Sequence, residues 1–580
     1  MASGWIALIG IWFALAGGLV EAGRVAVLLL LDRFVWLPFH ALWLPPLANL
    51  AFFTLPILAL ALLPWLTGSD RSRLAAVFVF AFLACFGLLN TFGWHLLNAW
   101  GAAGLALGLA IQITRMTRQR WQRFEALVAR TLALFLALVI AAAAGTGGWR
   151  LVTQRNEMAA LTGTVPSGSR NILLIILDTV RAQSMSLYGY ERLTTPHLDR
   201  WAAQGVTFDH AIATSSWTLP THASLFTGRE AVELETNWKV PLDRRFPRVA
   251  EAFRDAGYLT AGFVANLLYT GHDSGLARGF LEYRDYKWTW RQWLLTAGLG
   301  QRVKAWRAGW QPYHPFSDRK DASEVNKEFL HWLDGADERP FFVFLNYYDA
   351  HQPYRPPSEY RRRFRHENRG IEGYDGALAY LDDQLHLLLT ALERRDVLEN
   401  TVVVVTSDHG EMFGEQDLTG HGNSLYMPVL RVPLFVWGPG IPAGMRVDNV
   451  VSVRTLAQTL TELAGLDAEF SGESLNPYWR DLSEAGDVRR NDVPALAALT
   501  KGIRTPPEWP VSKGDMASVI RGDWQYIQNG DGTELLFDIV RDPGQAHDLS
   551  GLPSMAGVMA ELRSELRRAQ QLATADHARK

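Results

Sequence analysis

Five apolar segments crowd into the first 150 residues, at roughly 4–31, 42–66, 74–93, 97–113 and 129–148. Each approaches the roughly 17–25 residues that cross a bilayer as a helix, the fourth at the short limit. Hydrocarbon offers no water to solvate a backbone, so this quarter of the chain is committed to helices. A cleaved signal peptide accounts for only the first segment. Pro45, Pro46 and Pro56 kink or shorten the second. Glu21 and Arg24 share one helix face in the first; they read as an ion pair near the membrane edge, or as a substrate or proton path.

The loops set a direction. Arg115, Arg118, Arg120, Arg123 and Arg130 stand against Glu125, and Arg71 and Arg73 lie between the second and third segments. Both loops are expected to be cytoplasmic. Arg150 and Arg155 oppose this weakly. The N-terminus is therefore expected inside, and everything after the fifth segment outside a bacterial cytoplasmic (inner) membrane. The chain is too long, at 580 residues, for one compact domain. A net charge of -3 offers no electrostatic case for nucleic acid. The single cysteine, Cys85, excludes an intrachain disulfide and a four-cysteine zinc site.

After a polar linker at 149–170 the pattern changes. Ile172 to Leu177 is a continuous apolar run ending at Asp178. Similar runs occur at 260–265, 340–345, 401–406 and 432–437, with helical patterns at 196–203, 245–256, 322–334, 376–395 and 453–464. This alternation predicts an α/β sandwich around a mostly parallel sheet. Chemistry in such folds gathers at the C-terminal ends of strands. Asp178, the 346–351 segment and Asp408–His409 all follow such ends. Residues 521–539 read as a hairpin around 529–532, and 552–572 as a closing helix. The expected domains are 1–148, the linker 149–170, a catalytic part 171–515 with an aromatic and basic insertion at 281–312, and 516–580.

Asp178, Asp408 and His409 offer carboxylate and imidazole ligands for a divalent cation; helix caps and a surface histidine are the plainer readings. Thr218 opens a predicted helix, with Pro220 suited to its first turn. A cation that coordinates the Thr218 hydroxyl lowers its pKa and makes it a nucleophile. His222, His351 and His421 are candidates to contact substrate oxygens or to protonate a leaving group. Asp349 with His351 could instead build a second metal site. In 283–310, Tyr283, Tyr286, Trp288, Trp290, Trp293, Trp306 and Trp310 mix with Arg284, Lys287, Arg291, Arg302, Lys304 and Arg307. Such a stretch suits lipid head groups, single-stranded nucleic acid or a plain packed insertion, and an exported location disfavours nucleic acid.

Asn171–Asp178, Tyr188–Tyr190, Thr195–Asp199, Gly205–Phe208, Thr218–Gly228, Ser407–Glu411, Arg431–Pro433 and Leu536–Ile539 with Asp542–Pro543 recur in one order. Together they resemble the sulfatase branch of the alkaline phosphatase superfamily. The resemblance implies an alkaline-phosphatase/sulfatase-like mostly parallel sheet between helices, here preceded by an α-helical five-span transmembrane domain. That family's signature begins Cys-x-Pro-Ser-Arg, its cysteine or serine becoming formylglycine. Thr218 holds that position, Pro220 is kept and His222 replaces the arginine. Threonine carries a methyl on its carbinol carbon, so no formylglycine is expected. The second aspartate of the first motif is Thr179 here.

The chain also resembles membrane-bound phosphoethanolamine transferases and lipoteichoic acid synthases, which use a metal-bound threonine. By that resemblance Asp178, Thr218, Asp408 and His409 hold one divalent ion (Mn2+, Mg2+, Ca2+ or Zn2+). His351 and His421 contact the head group, His421 standing about where a sulfatase has a lysine. The implied activity is a phosphotransferase or phosphodiesterase acting on a membrane lipid or a lipid-linked envelope substrate. A sulfate-ester hydrolase without formylglycine and a non-catalytic assembly or lipid-binding protein are the alternatives.

Overall fold

The structure is a computed structural model that describes residues 2–31, 39–64, 69–93, 97–159, 161, 165, 168–287, 289–310, 319–365, 369–480, 493–502 and 505–578. The chain divides into two compact units, residues 1–156 with 286–317, and residues 157–285 with 318–580.

The first unit is helical: α1 (Ala2–Leu30), α2 (Leu44–Ala61), α3 (Ser69–Gly93), α4 (Ala99–Gln119) and α5 (Trp121–Ala159). Among the described residues, four helices are long and apolar enough to cross a membrane: Ser3–Leu30, Leu44–Ala61, Asp70–Gly93 and Trp121–Trp149. This measure meets four of the five expected spans among the described residues, and the chain is a multi-pass membrane protein. The fourth expected segment, 97–113, does form a helix, α4. That helix packs Ala102, Ala106 and Ala110 inward, one small residue per turn, so it approaches α3 closely. Its other faces alternate alanine and glycine with leucine and carry Arg115 and Arg118, which dilutes its apolar character. Trp288, residues 311–312, the tip of the second segment and the turn between the third and fourth lie outside the described residues.

Glu21 does not pair with Arg24. It is buried, and its carboxylate accepts from Asn49 Nδ2, Thr91 Oγ1 and the backbone N–H of Gly298, each at 3.0 Å. Gly298 belongs to the aromatic and basic insertion, whose helices α8 (Trp290–Leu295) and α9 (Gly298–Trp310) are part of this helical unit.

The second unit is built on an eight-stranded sheet. Its strands are β1 (Asn171–Leu177), β2 (Gly205–Ile212), β3 (Leu259–Val264), β4 (Glu282–Arg284), β5 (Phe341–Tyr347), β6 (Thr401–Thr406), β7 (Arg431–Trp437) and β8 (Met445–Ser452). Their spatial order is β8-β2-β7-β6-β1-β5-β3-β4. Strand β1 is central and buried on both faces, which is why it reads as an unbroken apolar run. Leu173, Ile175 and Leu177 join Val343, Leu345, Val403 and Val405 against Leu378, Leu385 and Leu389 of the helix α11 (Arg369–Glu393).

The sheet is mixed. Strand β7 runs antiparallel to both β2 and β6, and the remaining pairs are parallel. A buried apolar run such as Val432–Trp437 carries no mark of direction, so its reversal is invisible to pattern reading. Strands β2, β4 and β8 had no expectation. Polar Thr207, Asp209 and His210 interrupt β2, and Arg446, Asp448 and Asn449 interrupt β8. A second, antiparallel sheet joins β9 (Ala495–Leu499), β10 (Met516–Arg521), β11 (Trp524–Gln528) and β12 (Glu534–Asp538). The expected hairpin is β11–β12, and the sheet takes its first strand from upstream of residue 516.

Candidate metal centre and nucleophile

Strand register builds the site. In the parallel pair β1–β6, Ile176 stands beside Thr406. Two residues further along each chain come Asp178 and Asp408, so the two carboxylates leave adjacent strands at one level. Val264 of β3 aligns with Asn346 of β5, which aligns with Ile176. Two residues past Val264, Asn266 therefore falls in the same row, and its Nδ2 donates to Asp178 Oδ2 at 2.9 Å.

One atom each from Asp178, Asp408 and His409 lie within 4.8 Å of one another, all fully buried. Asp178 Oδ1 and Asp408 Oδ2 have no hydrogen-bond partner. His409 presents Nδ1 to the Gly410 carbonyl at 3.0 Å, so Nδ1–H donates there and the Nε2 lone pair is free. Thr218 Oγ1 lies 3.3 Å from that Nε2. Two unsatisfied buried carboxylate oxygens, a neutral imidazole nitrogen and a hydroxyl are a coherent donor set for one divalent cation. Burial and the Asp408 charge push the Asp178 carboxyl well above its usual range. Burial acts the same way on Asp408, but the His409 and His222 rings and the backbone N–H groups of Thr179 and His409 hold it lower. The proton that this leaves on Asp178 is what a cation would displace.

The backbone around the two aspartates is shaped for this. Thr179 has φ +62°, unusual for a β-branched residue, and its N–H donates to Asp408 Oδ1 at 3.1 Å. Ser407 Oγ accepts from Val180 N–H and donates to the His409 carbonyl. Nothing in the local sequence announces the Thr179 conformation or the Asn266 contact, since both depend on which strands adjoin.

Thr218 is the first residue of α7 (Thr218–Thr227), which starts with Pro220 in its first turn and ends at Gly228 with φ +70°. The positive end of that helix faces the site. His222, one turn on, is fully buried; its Nδ1–H donates to the Thr218 carbonyl at 2.8 Å and lies 3.8 Å from Asp408 Oδ2. The ring packs on Phe344 of β5. His222 thus ties the first turn of the helix to the Asp408 carboxylate through Nδ1, while its buried Nε2 has no partner among the described residues.

His351 and His421 do come together, ring to ring at 4.9 Å, and His421 lies 4.5 Å from the His409 ring. His351 stacks on Tyr348, and its Nδ1 meets the Gln352 carbonyl at 2.9 Å. Burial lowers His351 to about 3 and His421 to about 4, so both rings are neutral near pH 7. His421 Nδ1 faces Glu411 Oε1 at 2.9 Å. Glu411 is buried, which raises it to about 7. It sits in the Ser407–Glu411 motif but was no site candidate; its spacing beside Asp408–His409 was the available signal.

Asp349 turns elsewhere. Its Oδ1 accepts from the Ala322 N–H at 3.2 Å, at the start of the helix α10 (Ala322–Leu333), and among the described residues it joins no metal-binding group. A second cluster, His197 with Asp382 and Asp383, is explained by capping: Asp382 accepts from the N–H groups of His197 and Leu198 at the start of the helix α6 (Pro196–Ala202). A cavity of about 490 Å³ is walled by Trp217, Pro220, Trp238, Tyr269, Gly422 and Trp509, the chain neighbours of Thr218 and His421 among them, but by neither of those two residues themselves. Gly422 has φ +67°, and a Cβ there would lie 2.3 Å from the Trp217 ring. Glycine is needed at that position for the wall to close.

A parallel-rich sheet with an acidic and histidine metal centre at its strand ends, and a hydroxyl at a helix start, defines the alkaline-phosphatase type of α/β enzyme. The Sulfatase family model matches residues 170–466, just over half of the chain, and the chain belongs to that family. The chain is 24% identical over 432 residues to the ulvan-active sulfatase of Formosa agariphila, spanning 68% of this chain and 80% of that protein. It is 28% identical over 347 residues to the uncharacterized sulfatase YidJ of Escherichia coli, 51% of this chain and 68% of that one. The fold superimposes on the phosphonate monoester hydrolase of Agrobacterium radiobacter with a TM-score of 0.56 and 21% identity. That match covers 70% of this chain and 96% of the hydrolase. The chain is thus a sulfatase-like enzyme of the alkaline phosphatase superfamily.

Proposed function

We propose that this protein is a membrane-anchored, metal-dependent enzyme that cleaves singly charged tetrahedral esters through covalent catalysis at Thr218. The observation that carries the reading is the Thr218 hydroxyl at a helix start, 3.3 Å from Nε2 of His409, a ring grouped with Asp178 and Asp408, each of which has one buried carboxylate oxygen without a partner. Asp178, Asp408, His409 and Thr218 would hold one divalent ion. When bound, that ion acidifies the hydroxyl and neutralises charge building on ester oxygens.

Thr218 Oγ attacks the central atom of the ester; the bond to Oγ forms and the bond to the leaving oxygen breaks. The threonine proton leaves Oγ, and the departing alcohol takes up one proton. His421 is placed to move it: with Glu411 ionised and accepting from Nδ1–H, Nε2 is free to take a proton and give it up. Water or an acceptor hydroxyl then attacks the same central atom and restores Thr218. The neutral His351 and His421 rings suit a monoanionic ester better than a dianionic one, because they hydrogen-bond without adding fixed charge. The aromatic cavity lined by Trp217, Pro220 and Gly422 would receive the rest of the substrate.

For the reacting atom, family membership and the sulfatase relatives favour sulfur, in a sulfate ester cleaved without formylglycine. A phosphodiester head group is the second reading, favoured by threonine at position 218 on a multi-pass membrane protein. It would align the chain with the phosphoethanolamine transferases and lipoteichoic acid synthases. The proposed setting is a bacterial inner membrane with the sulfatase unit outside; an odd number of crossings is required to put it opposite the N-terminus. The proposed substrate is a membrane lipid or lipid-linked envelope glycan, and the proposed domain limits remain 1–148, 149–170, 171–515 and 516–580.

The test compares the full-length protein on aryl sulfate, aryl phosphodiester and labelled phospholipid, with intact-mass analysis after each. Turnover of aryl sulfate alone selects the sulfate reading. A phosphoryl adduct absent from Thr218→Ala selects the phosphodiester reading. Metal binding without turnover or adduct on any of the three refutes catalysis.

A further inference from the structure

Residues 286–317 depart from the sulfatase unit in sequence and group with the N-terminal helices. Helix α9 packs on α3, and α8 packs on α2. The centre of this joint is polar. Glu21 Oε1 receives both the Gly298 N–H and the Thr91 hydroxyl, Oε2 receives Asn49, and Arg302 Nε donates to Asn90 Oδ1 at 2.6 Å. The approach is tight: a Cβ on Gly298 would lie 2.2 Å from the Gly87 carbonyl oxygen. Leu299 enters the apolar cluster of Phe80 and Ala81.

The level of the joint follows from helix rise. Thr91 is two residues from the end of α3 and Asn49 five from the start of α2, so the joint lies roughly 3–8 Å inside those helix ends. Helix α9, with 13 residues, is about 20 Å long, too short to cross a hydrocarbon core of about 30 Å. The chain enters this hairpin from the sulfatase unit and returns to it. The hairpin therefore stays at one membrane face, the one reached by the end of α3 and the start of α2.

Its outward side is apolar. Trp290 is 68% exposed, Trp293 41%, Val303 45% and Trp306 62%. The helix beneath α8, α2, exposes Leu55 and Leu58, as a lipid-facing helix does. Tryptophan is the residue that sits most readily at the boundary of head groups and acyl chains, and Arg291 and Lys304 supply charge for the head-group side.

We infer that residues 290–306 form an interfacial hairpin seated in the bilayer, latched by Glu21, with the lipid of the chain's own membrane as the partner of its tryptophan face. Glu21 is thus a latch that fixes a piece of the sulfatase-family chain in the membrane.

The test uses the full-length protein, with Cys85→Ser, in bilayers of phosphatidylcholine with and without phosphatidylglycerol. Nitroxides at W290C and W306C are compared with L55C on α2 and with L193C, an exposed position of the sulfatase unit. The inference expects labels at 290 and 306 to favour oxygen over a polar nickel complex, as at 55 and opposite to 193. It expects E21A to move the 306 label toward the value at 193 while the 55 label stays put. Water-like values at 290 and 306 in the parent overturn it, and unchanged values in E21A overturn the latch. Quenching by brominated lipid, compared between wild type and W290F/W306F, needs no label. Equal quenching of both proteins refutes the seating if the labelled variants fail to fold.

Discussion

Replacing Asp178 by asparagine is expected to stabilise the protein without metal and to remove the stabilisation that metal confers. One carboxylate oxygen of Asp178 and one of Asp408 lie within 4.8 Å of each other in a fully buried site, and each residue has one oxygen without a partner. With an effective dielectric of about 20, two unit charges at that distance repel by about 3 kcal/mol. Asparagine keeps the shape and an acceptor for Asn266 while deleting one charge. The Asp178 carboxyl is pushed well above its usual range, so it carries its proton at low pH and sheds it as pH rises. A raised folded-state pKa means stability present below the unfolded value of 3.8 and lost as pH climbs through the folded one. The advantage of Asp178→Asn in chelator should therefore grow with pH, from near zero at acid pH toward about 3 kcal/mol. Saturating divalent cation reverses the order, because a site filled a thousandfold above its Kd adds about 4.1 kcal/mol to the wild type, more than the charge repulsion takes away. Thermal unfolding of the detergent-purified protein, in EDTA and with Mn2+ across pH, measures both signs. The reasoning is wrong if metal raises the midpoint of both proteins equally, or if the variant melts lower in EDTA at high pH.

Thr218→Ala should reduce turnover about a thousandfold or more, while Thr218→Ser keeps it within about tenfold, read as kcat on the best aryl ester. Loss of less than tenfold in the alanine variant would remove Thr218 as nucleophile. His421→Asn is expected to lower kcat by about a hundredfold while metal affinity, followed by titration, stays unchanged. Asp349 is raised to about 7 by burial, with one oxygen unpartnered, so the wild type should lose stability between about pH 4 and 7. Asp349→Asn should flatten that slope in chemical denaturation, and an unaltered slope contradicts the assignment. Gly422→Ala forces a Cβ into the Trp217 ring at a positive φ, so KM should rise more than kcat falls.

Much of the centre was legible because its residues follow strands. Continuous apolar runs ending in Asp178 and in Asp408–His409 mark buried parallel strands with chemistry at their ends. The Thr218–Gly228 segment carries its own helix start and stop. Asn266 was not legible, because it reaches Asp178 only through the register of β3, β5 and β1. That Nδ1 of His222 binds the Thr218 carbonyl and its ring packs on Phe344 was not legible either, since one turn of helix turns the ring toward the core. The reversal of β7 escaped because burial on both faces erases alternation. The fourth apolar segment read as a span by its length, although its alanine and glycine content lowers its hydrophobicity.

Composition and local pattern alone determined that the chain begins in a membrane, that an α/β unit follows, and which side chains stand at strand ends and at a helix start. Those are short-range properties, set within a few residues by burial period and backbone preference. The tertiary structure decided that two carboxylates, an imidazole and a hydroxyl meet, and that Glu21 binds Gly298, 277 residues away, and not Arg24. Such meetings depend on strand register and helix packing across the whole chain, and a buried polar group takes whichever partner that packing brings within reach.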